Sequence, residues 1–312
     1  MTTSAASATA QSTVTFTAPV TAGATGTVKF YDGSTLLGTV TLSAASPNTA
    51  QFSTTALSVG SHQISAAYQG DATHATSQSA ALTQTVINAT STTLTTSAAS
   101  ATAQSTVTFT ATVTAGATGT VKFYDGSTLL GTVTLSAASP NTAHFSTTAL
   151  SVGSHQISAA YQGDASHATS QSAVLTQTVT AIPTLTTLTS SSKTPLAGAP
   201  LNLSATVTAG AVGRVSFFSD SILLGTATLS GTSPNTVVLN VTSLSAGSHA
   251  LTAVYDGEGQ YSGSKSAAFT QTVYATSAAT STSLTCSPTT IGYGGTLVLT
   301  ATVTGSAPGT VV

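Results

Sequence analysis

The sequence contains a nearly identical repeat with a period of 93 residues. Residues 1–86 and 94–179 are identical at 81 of 86 positions, and the pattern returns after a further 94 residues, so that Tyr68, Tyr161 and Tyr255 share one position. Self-similarity at a fixed period is typical of arrays of equivalent modules. The 312 residues therefore predict three small domains and the start of a fourth. The expected boundaries are 1–86, 87–179, 180–273 and 274–312.

The five exceptions between the first two copies are Met1/Leu94, Pro19/Thr112, Gln51/His144, Thr73/Ser166 and Ala81/Val174. Met1 stands where the other copies have leucine, and Val312 stops within a strand pattern. We therefore expect the first strand of repeat one to be incomplete, the fourth repeat to be truncated, and the chain to be part of a longer repetitive protein. Proline cannot donate to a sheet ladder, so Pro19 predicts a bulge or an unpaired edge.

Apolar and mostly polar residues alternate along short segments of every copy, as in Val14, Phe16 and Ala18. This period of two indicates strands with one buried face, and turn residues such as Asp32-Gly33 and Ser46-Pro47-Asn48 separate them. No segment has the period of a helix. About seven strands in each repeat predict an all-β fold of two antiparallel sheets packed face to face. The expected core residues are Phe16, Phe30, Phe52, Ile64 and Leu82, with Phe109, Phe123, Phe145, Ile157 and Leu175.

Composition excludes several classes of function. Only 4% of the residues are charged, the net charge is −2, and the five Lys and Arg residues are scattered, so no basic surface for nucleic acid is expected. The single cysteine, Cys286, cannot form a disulfide within the chain. No apolar run is long enough to span a membrane in this segment.

Several strings resemble the bacterial immunoglobulin-like domain repeats assigned to group 3. They are Gly-Thr-Val-Lys-Phe-Tyr-Asp-Gly at 26–33 and 119–126, Leu-Leu-Gly at 36–38, Gly-Ser-His at 60–62, Ala-Tyr-Gln-Gly-Asp at 67–71 and Leu-Thr-Gln-Thr-Val at 82–86. The resemblance covers nearly the whole chain. It implies tandem immunoglobulin-like β-sandwiches in a long secreted or surface-attached bacterial protein, with no shared catalytic residue and no cofactor.

Histidine recurs at one position, as His62, His155 and His249, beside a serine and within ten residues of Asp71, Asp164 or Glu258. A hydrolase triad could be built from such residues. Each histidine follows a Gly-Ser turn and begins a strand, which favours a structural histidine at the rim of each sandwich. We expect no catalytic residues.

Four aspartates are weak candidates for calcium binding, namely Asp32, Asp71, Asp125 and Asp164. Calcium takes six to eight oxygen ligands, and the chain has only seven acidic residues. Turn-forming aspartates are the favoured interpretation. Lys29 and Lys122 suggest an isopeptide cross-link, but alternation places them on the outer face, where a solvated lysine is expected.

The sequence favours a non-catalytic array of an extracellular or cell-surface bacterial protein that acts as stalk, spacer or filament-forming scaffold. Its partners would be neighbouring modules of the same or another chain. An adhesive or glycan-binding repeat, gaining strength from avidity, is the first alternative, with Tyr31 and its equivalents as the exposed aromatic residues. An accessory region of a large secreted hydrolase is the second.

Overall fold

The structure is a computed structural model that describes residues 1–42, 48–136, 140–276 and 280–304. In these ranges the chain forms β-strands joined by loops, which confirms the all-β fold. The turn predicted at Ser46-Pro47 and the end of the fourth repeat, 305–312, lie outside the described residues. The chain divides into two compact units, residues 1–180 and 181–312. No helix in the described ranges has the length and apolarity needed to cross a membrane.

Repeat one contains nine strands in two sheets. They are β1 (Thr2–Thr3), β2 (Ser7–Thr9), β3 (Val14–Pro19), β4 (Gly26–Asp32), β5 (Thr35–Leu42), β6 (Thr49–Thr54), β7 (Gly60–Tyr68), β8 (Ser77–Gln78) and β9 (Leu82–Ile87). One sheet has the order β1-β3-β6. The other has the order β2-β9-β7-β4-β5, with β8 paired to β7.

Repeat two has the same nine strands and the same order. They are β10 (Thr92–Thr96), β11 (Ser100–Thr102), β12 (Val107–Val113), β13 (Thr120–Asp125), β14 (Thr128–Thr134), β15 (Thr142–Thr147), β16 (Gly153–Tyr161), β17 (Ser170–Gln171) and β18 (Leu175–Thr180). Its sheets are β10-β12-β15 and β11-β18-β16-β13-β14, with β17 paired to β16.

Repeat three and the start of repeat four complete the described chain. Their strands are β19 (Thr186–Ser190), β20 (Leu201–Val207), β21 (Val212–Ser219), β22 (Ile222–Ser230), β23 (Thr236–Val241), β24 (Gly247–Tyr255), β25 (Ser264–Lys265), β26 (Phe269–Val273), β27 (Ser281–Ser287) and β28 (Val298–Thr304). The sheets of repeat three are β19-β20-β23 and β22-β21-β24-β25, with β26 paired to β24; β27 and β28 form a two-stranded sheet.

The first strand of a repeat is divided between the two sheets, which the sequence did not predict. In repeat two, β10 pairs antiparallel with β12, and the chain then crosses to the other sheet, where β11 pairs parallel with β18. The pairing is parallel because β11 and the last strand of the repeat run in the same direction. In repeat three this second pairing is reduced to one bridge between Leu196 and Tyr274.

The core lies between the two sheets and consists of the inward residues of the alternating pattern. Phe16, Phe30 and Ile64 are fully buried, as predicted, whereas Phe52 and Leu82 are only half-buried at the core margin. The ring of Phe52 stacks on Phe30 with centroids 5.5 Å apart. In repeat two, the corresponding residues show the same division: Phe109, Phe123 and Ile157 are fully buried, and Phe145 and Leu175 are half-buried.

Pro19 lies at an edge position, and the ladder around it has no bulge. The register between β3 and β6 continues through Pro19, and the next N–H, that of Val20, donates to the Asn48 carbonyl at 2.9 Å. Successive residues of a strand direct their N–H groups to opposite sides, so the missing donor of Pro19 faces the side of β1. Within the described residues β1 pairs only with Thr17 and Phe16, and no ladder bond is lost at Pro19.

Candidate functional site

The recurring histidine lies at the end of each sandwich where the last strand leaves the repeat. In repeat one, His62 Nδ1 lies 2.6 Å from Asp32 Oδ2, and His62 Nε2 lies 2.7 Å from the Ser58 carbonyl oxygen. The register places Asp32 opposite Ile64, so the turn after β4 brings the carboxylate to the histidine. The partner is therefore Asp32 and not Asp71, the aspartate that is closer in sequence.

Repeat two has the same arrangement, and we call these two sites the His–Asp pairs. His155 Nδ1 lies 2.7 Å from Asp125 Oδ2, and His155 Nε2 lies 2.8 Å from the Ser151 carbonyl oxygen. A carboxylate and a carbonyl are both acceptors, and only the doubly protonated imidazole donates from both ring nitrogens. Neither ring nitrogen is left to accept a proton from a serine hydroxyl, as a hydrolase triad would require.

The same contacts shift the proton affinity of the two histidines. Burial of the His62 ring opposes protonation, but hydrogen bonds to Asp32 and to the Ser58 carbonyl outweigh it and hold the pKa above the usual 6.5. For His155, burial also opposes protonation, while the Ser151 carbonyl and Asp125 raise the pKa.

Repeat three lacks the carboxylate of the His–Asp pair. Ser219 occupies the position of Asp125, and its hydroxyl lies 3.0 Å from His249 Nδ1. His249 Nε2 still contacts a backbone carbonyl, that of Ser245, at 2.9 Å. Because a hydroxyl can donate as well as accept, Ser219 can pair with His249 Nδ1 whether or not that nitrogen carries a hydrogen.

We expect the stability of repeats one and two to fall as the pH rises. A histidine whose pKa is higher in the folded chain stabilises the fold fully below the unfolded pKa of 6.5, and this contribution is lost as the pH rises through the folded value. Hydrogen exchange of each repeat, measured on both sides of this window, checks the prediction. Repeat three serves as the internal control, and an equal loss in all three repeats would contradict it. Asp32→Asn with Asp125→Asn should remove the dependence.

Asp71 organises the loop at the opposite end of repeat one, which we call the aspartate loop (residues 71–76). One carboxylate oxygen accepts the Thr25 N–H at 2.7 Å and the Tyr68 hydroxyl at 3.0 Å, and the other accepts the N–H groups of Thr73 and His74 at 2.7 Å each. Hydrogen bonds from the Thr25 and Thr73 N–H groups, which favour the charged form, lower the pKa of Asp71 far below its usual range.

Asp164 holds the aspartate loop of repeat two (residues 164–169): one carboxylate oxygen accepts the Thr118 N–H at 2.7 Å and the Tyr161 hydroxyl at 3.1 Å, and the other accepts the Ser166 N–H at 2.7 Å. Burial of the carboxylate opposes ionisation, but the N–H groups of Thr118 and Ser166 lower its pKa. Burial and the hydrogen bond to Asp164 raise the pKa of Tyr161 to about 12. In repeat three, Glu258 occupies the position of Asp164. Close to it in sequence, Asp256 forms an ion pair with Arg214 at 2.9 Å.

The four candidate calcium ligands are not brought together within a repeat. Asp32 and Asp71 lie at opposite ends of the β4–β7 ladder, because Asp32 is opposite Ile64 while Val28 is opposite Tyr68. Among the residues that the structure describes, no group of three or more His, Cys, Asp or Glu side chains could hold a metal ion. The observed hydrogen bonds give these carboxylates a structural role, which is to fix loops. A calcium site stays a prediction.

The first residues of repeat two dock onto its aspartate loop, a contact that the sequence did not predict. The Asn88 N–H donates to the Ser166 carbonyl at 2.7 Å, and the Asn88 carbonyl accepts the Ala168 N–H at 2.9 Å. Thr90 Oγ1 donates to the Ala168 carbonyl at 2.6 Å. His167 is buried in repeat two, whereas its equivalent His74, which has no such segment over it among the described residues, is half-buried.

Repeat three shows the same docking with a different residue. The Ile182 N–H donates to the Gln260 carbonyl at 2.7 Å, and the Ile182 carbonyl accepts the Ser262 N–H at 2.9 Å. Thr184 Oγ1 donates to the Ser262 carbonyl at 2.7 Å. Each of these two repeats therefore binds its own first residues beside its aspartate loop, through one parallel bridge.

The outward lysines and aromatic residues are half-buried on the sheet surface. Lys29 lies between Thr39 and Ala67 on neighbouring strands, while Val28 and Phe30 on either side of it point into the core. Tyr31 and Tyr124 are also half-buried, beside an irregularity in the register of their strands. In repeat three, the position of Lys122 is taken by Ser216, which is buried.

Comparison with known proteins identifies the sequence type. The chain matches the family described as bacterial Ig-like domain (group 3) over residues 1–87, 94–180 and 188–274. No curated protein matches the chain.

Several solved structures resemble the chain at low sequence identity. The fibronectin(III)-like modules of CbhA from Clostridium thermocellum are 20% identical, covering 58% of this chain and 94% of that one, with a TM-score of 0.25. The ectodomain of mouse nectin-like molecule 4 is 13% identical, covering 86% and 96%, with a TM-score of 0.39. The adhesin InvE of Yersinia pseudotuberculosis is 16% identical, covering 64% and 70%, with a TM-score of 0.34.

Proposed function

Because the chain belongs to the bacterial Ig-like domain family of group 3, we propose that it is a structural segment of an extracellular or cell-surface bacterial protein. Its repeats act as a stalk, spacer or filament-forming scaffold. Their proposed boundaries are 1–86, 87–179 and 180–273, with the start of a fourth repeat at 274–312. The partners are the neighbouring repeats.

One structural observation, the docking of the first residues of a repeat, supports this proposal most directly. The same docking bonds join Asn88 to the loop of repeat two and Ile182 to the loop of repeat three, although the two segments differ in sequence. The first residues of each of these two repeats are therefore bound within the repeat itself, mainly through backbone groups. Duplicating such a unit lengthens the chain without a redesign of any core.

Deleting residues 87–179 tests the proposed spacing role. The deletion joins Val86 to Thr180, which stands at the position of Ile87, so the last strand of repeat one keeps its length and the first residues of repeat three are preserved. We expect small-angle X-ray scattering to show the maximum dimension falling by about 30 Å, the length of a nine-residue strand. An unchanged maximum dimension, with the shortened chain still folded, would contradict a spacer.

Ig-like repeat domains are generally non-catalytic, and we propose that this chain is too. Both ring nitrogens of His62 and of His155 are engaged by acceptors, so neither histidine is placed to activate a nucleophile. We expect purified chain to hydrolyse no ester, peptide or glycoside. Hydrolysis that disappears in the double variant His62→Ala, His155→Ala would show that this expectation is wrong.

A further inference from the structure

Each sandwich has, at one side, a long strand with no neighbour on its outer edge. β5, β14 and β22 lie at the end of the strand order of their sheets, and they contain 8, 7 and 9 residues. Within the part of the chain that the structure describes, the outer N–H and C=O groups of these strands therefore have no strand partner. We call β5, β14 and β22 the open edges.

The open edges lack most of the features that keep sheet edges apart. Natural proteins protect an exposed edge with charged side chains, proline or a bulge. The open edges contain no charged residue and no proline, and they are rich in residues that favour extended backbone, such as threonine and valine. In repeat one, a register shift between Phe30 and Tyr31 lies near the hairpin, but residues 38–42 pair regularly beyond it. The equivalent stretches 131–134 and 225–229 are equally regular.

Apolar side chains are only partly covered along this side of the sandwich. Phe52 of β6, the edge strand of the facing sheet, is half-buried. Val40 of β5 is also half-buried, and Leu36 is 51% exposed. The leucines at the same position of the other two repeats, Leu129 and Leu223, are 51% and 54% exposed. A strand added at the open edge would cover part of this apolar surface, which favours association.

We propose that the open edges pair with the open edges of a second copy of this chain, so that chains associate side by side. Two identical strands can pair antiparallel about a twofold axis, and their main-chain hydrogen bonds provide the affinity. The open edges of repeats one and two share one sequence, Thr-Leu-Leu-Gly-Thr-Val-Thr at 35–41 and 128–134. Three edges in each chain strengthen a contact that is weak on its own. The proposal rests on the scaffold function proposed above and names its partner.

Charge favours a second copy over a charged partner. An acidic or basic protein would find no opposite charge on the open edges, whereas a second copy brings an equally uncharged strand. The lysine of repeat one, Lys29, lies on the neighbouring strand opposite Thr39. After pairing, the two copies of Lys29 are three strand spacings apart, about 14 Å, which exceeds the Debye length of about 8 Å at physiological salt. Repulsion between these lysines is therefore weak.

Sedimentation velocity of the full chain tests the proposal. We expect association that grows with concentration, with a dissociation constant of about 1 mM or lower. One negative charge on each open edge, added as Thr41→Glu, Thr134→Glu and Thr228→Glu together, should raise this constant about tenfold or more, because like charges then meet across the contact. All three threonines are exposed. A wild-type chain that stays monomeric up to about 1 mM would overturn the second copy as partner.

The matched control places the same charges on the last paired strand of each repeat, as Thr83→Glu, Thr176→Glu and Thr270→Glu. These threonines are also exposed, and two strands separate each of them from the open edge of its repeat. The control should associate like the wild type, and an equal loss of association would overturn the open edges as the contact. The spacing role can fail separately, since the deletion of residues 87–179 measures the length of one chain and sedimentation measures the number of chains.

A proline variant tests the backbone pairing itself. The Leu135 N–H donates to the Gly119 carbonyl, on the inner side of β14, at 2.9 Å. Because successive N–H groups alternate in direction, the Thr132 N–H points outward. Thr132→Pro, combined with the equivalent Thr39→Pro and Thr226→Pro, removes the outward donors and keeps the ladder inside each sheet. We expect monomers with an unchanged circular dichroism spectrum, and association at wild-type strength by the folded variant would overturn strand pairing. If the proline variant does not fold, the glutamate variant and its control decide.

Discussion

Replacing Phe109 by alanine is expected to destabilise repeat two by about 3–5 kcal/mol, the range for a buried phenylalanine cut to alanine. The Phe109 side chain is completely buried, and it lies opposite Phe145 in the ladder of β12 and β15. The truncation leaves a cavity between the sheets that the surrounding strands cannot fill. Such a loss is a large share of the stability of a small domain.

Hydrogen exchange with peptide-level mass spectrometry measures this loss in repeat two separately, because peptides containing Thr112 or His144 differ from their counterparts in repeat one. Leu129→Ala is the control: Leu129 is 51% exposed, and its truncation should change the free energy of unfolding by less than about 0.5 kcal/mol. Phe145→Ala should fall between the two, since that ring is half-buried. A loss under about 1 kcal/mol for Phe109→Ala would mean that the inward face of β12 is assigned incorrectly.

The substitution Thr112→Pro is expected to cost repeat two about 1–3 kcal/mol, because it leaves a ladder acceptor unpaired, although proline is the natural residue at the same position of repeat one. The Val113 N–H donates toward β15, to the Asn141 carbonyl at 2.9 Å, so the Thr112 N–H is directed toward β10. Thr93 of β10 lies opposite Thr112. Proline at this position would remove a ladder bond and place its ring against the neighbouring strand.

The reverse change, Pro19→Thr, is the matched control. No strand among the described residues lies opposite Pro19 on the side of its missing donor, so this substitution should alter the free energy of unfolding by less than about 0.5 kcal/mol. Denaturant titration of both variants gives the comparison. Similar effects from the two substitutions would show that the edge at Pro19 is not free.

The positions of the strands and most of the core were predictable from the sequence, because alternation with a period of two depends only on local order. Phe16, Phe30 and Ile64 follow from that rule. Phe52 lies on the same face but is half-buried, because its strand is at the edge of a three-stranded sheet. The division of the first strand between two sheets depends on distant partners, and alternation carries no information about them.

The polar contacts were predictable only in part. The structural role of His62 was predicted, but its partner Asp32 is 30 residues away and is found only through the register of β4 with β7. The docking of Asn88 and Ile182 uses mainly backbone groups, so the sequence shows it only through the threonine two residues further on, Thr90 or Thr184.

The parallel pairing of β11 with β18 determines how repeat two would respond to tension. If the two ends of repeat two are pulled apart, β11 is pulled toward its N-terminus and β18 toward its C-terminus. The two parallel strands must then slide along each other, so all the hydrogen bonds between them resist the force at the same time. Among the residues that the structure describes, repeat three has one bridge at this place, Leu196–Tyr274, and Pro195 beside it has no N–H to donate. When the same force acts on both repeats, repeat three is expected to unfold before repeat two. Its unfolding lengthens the chain and so lowers the force on repeat two.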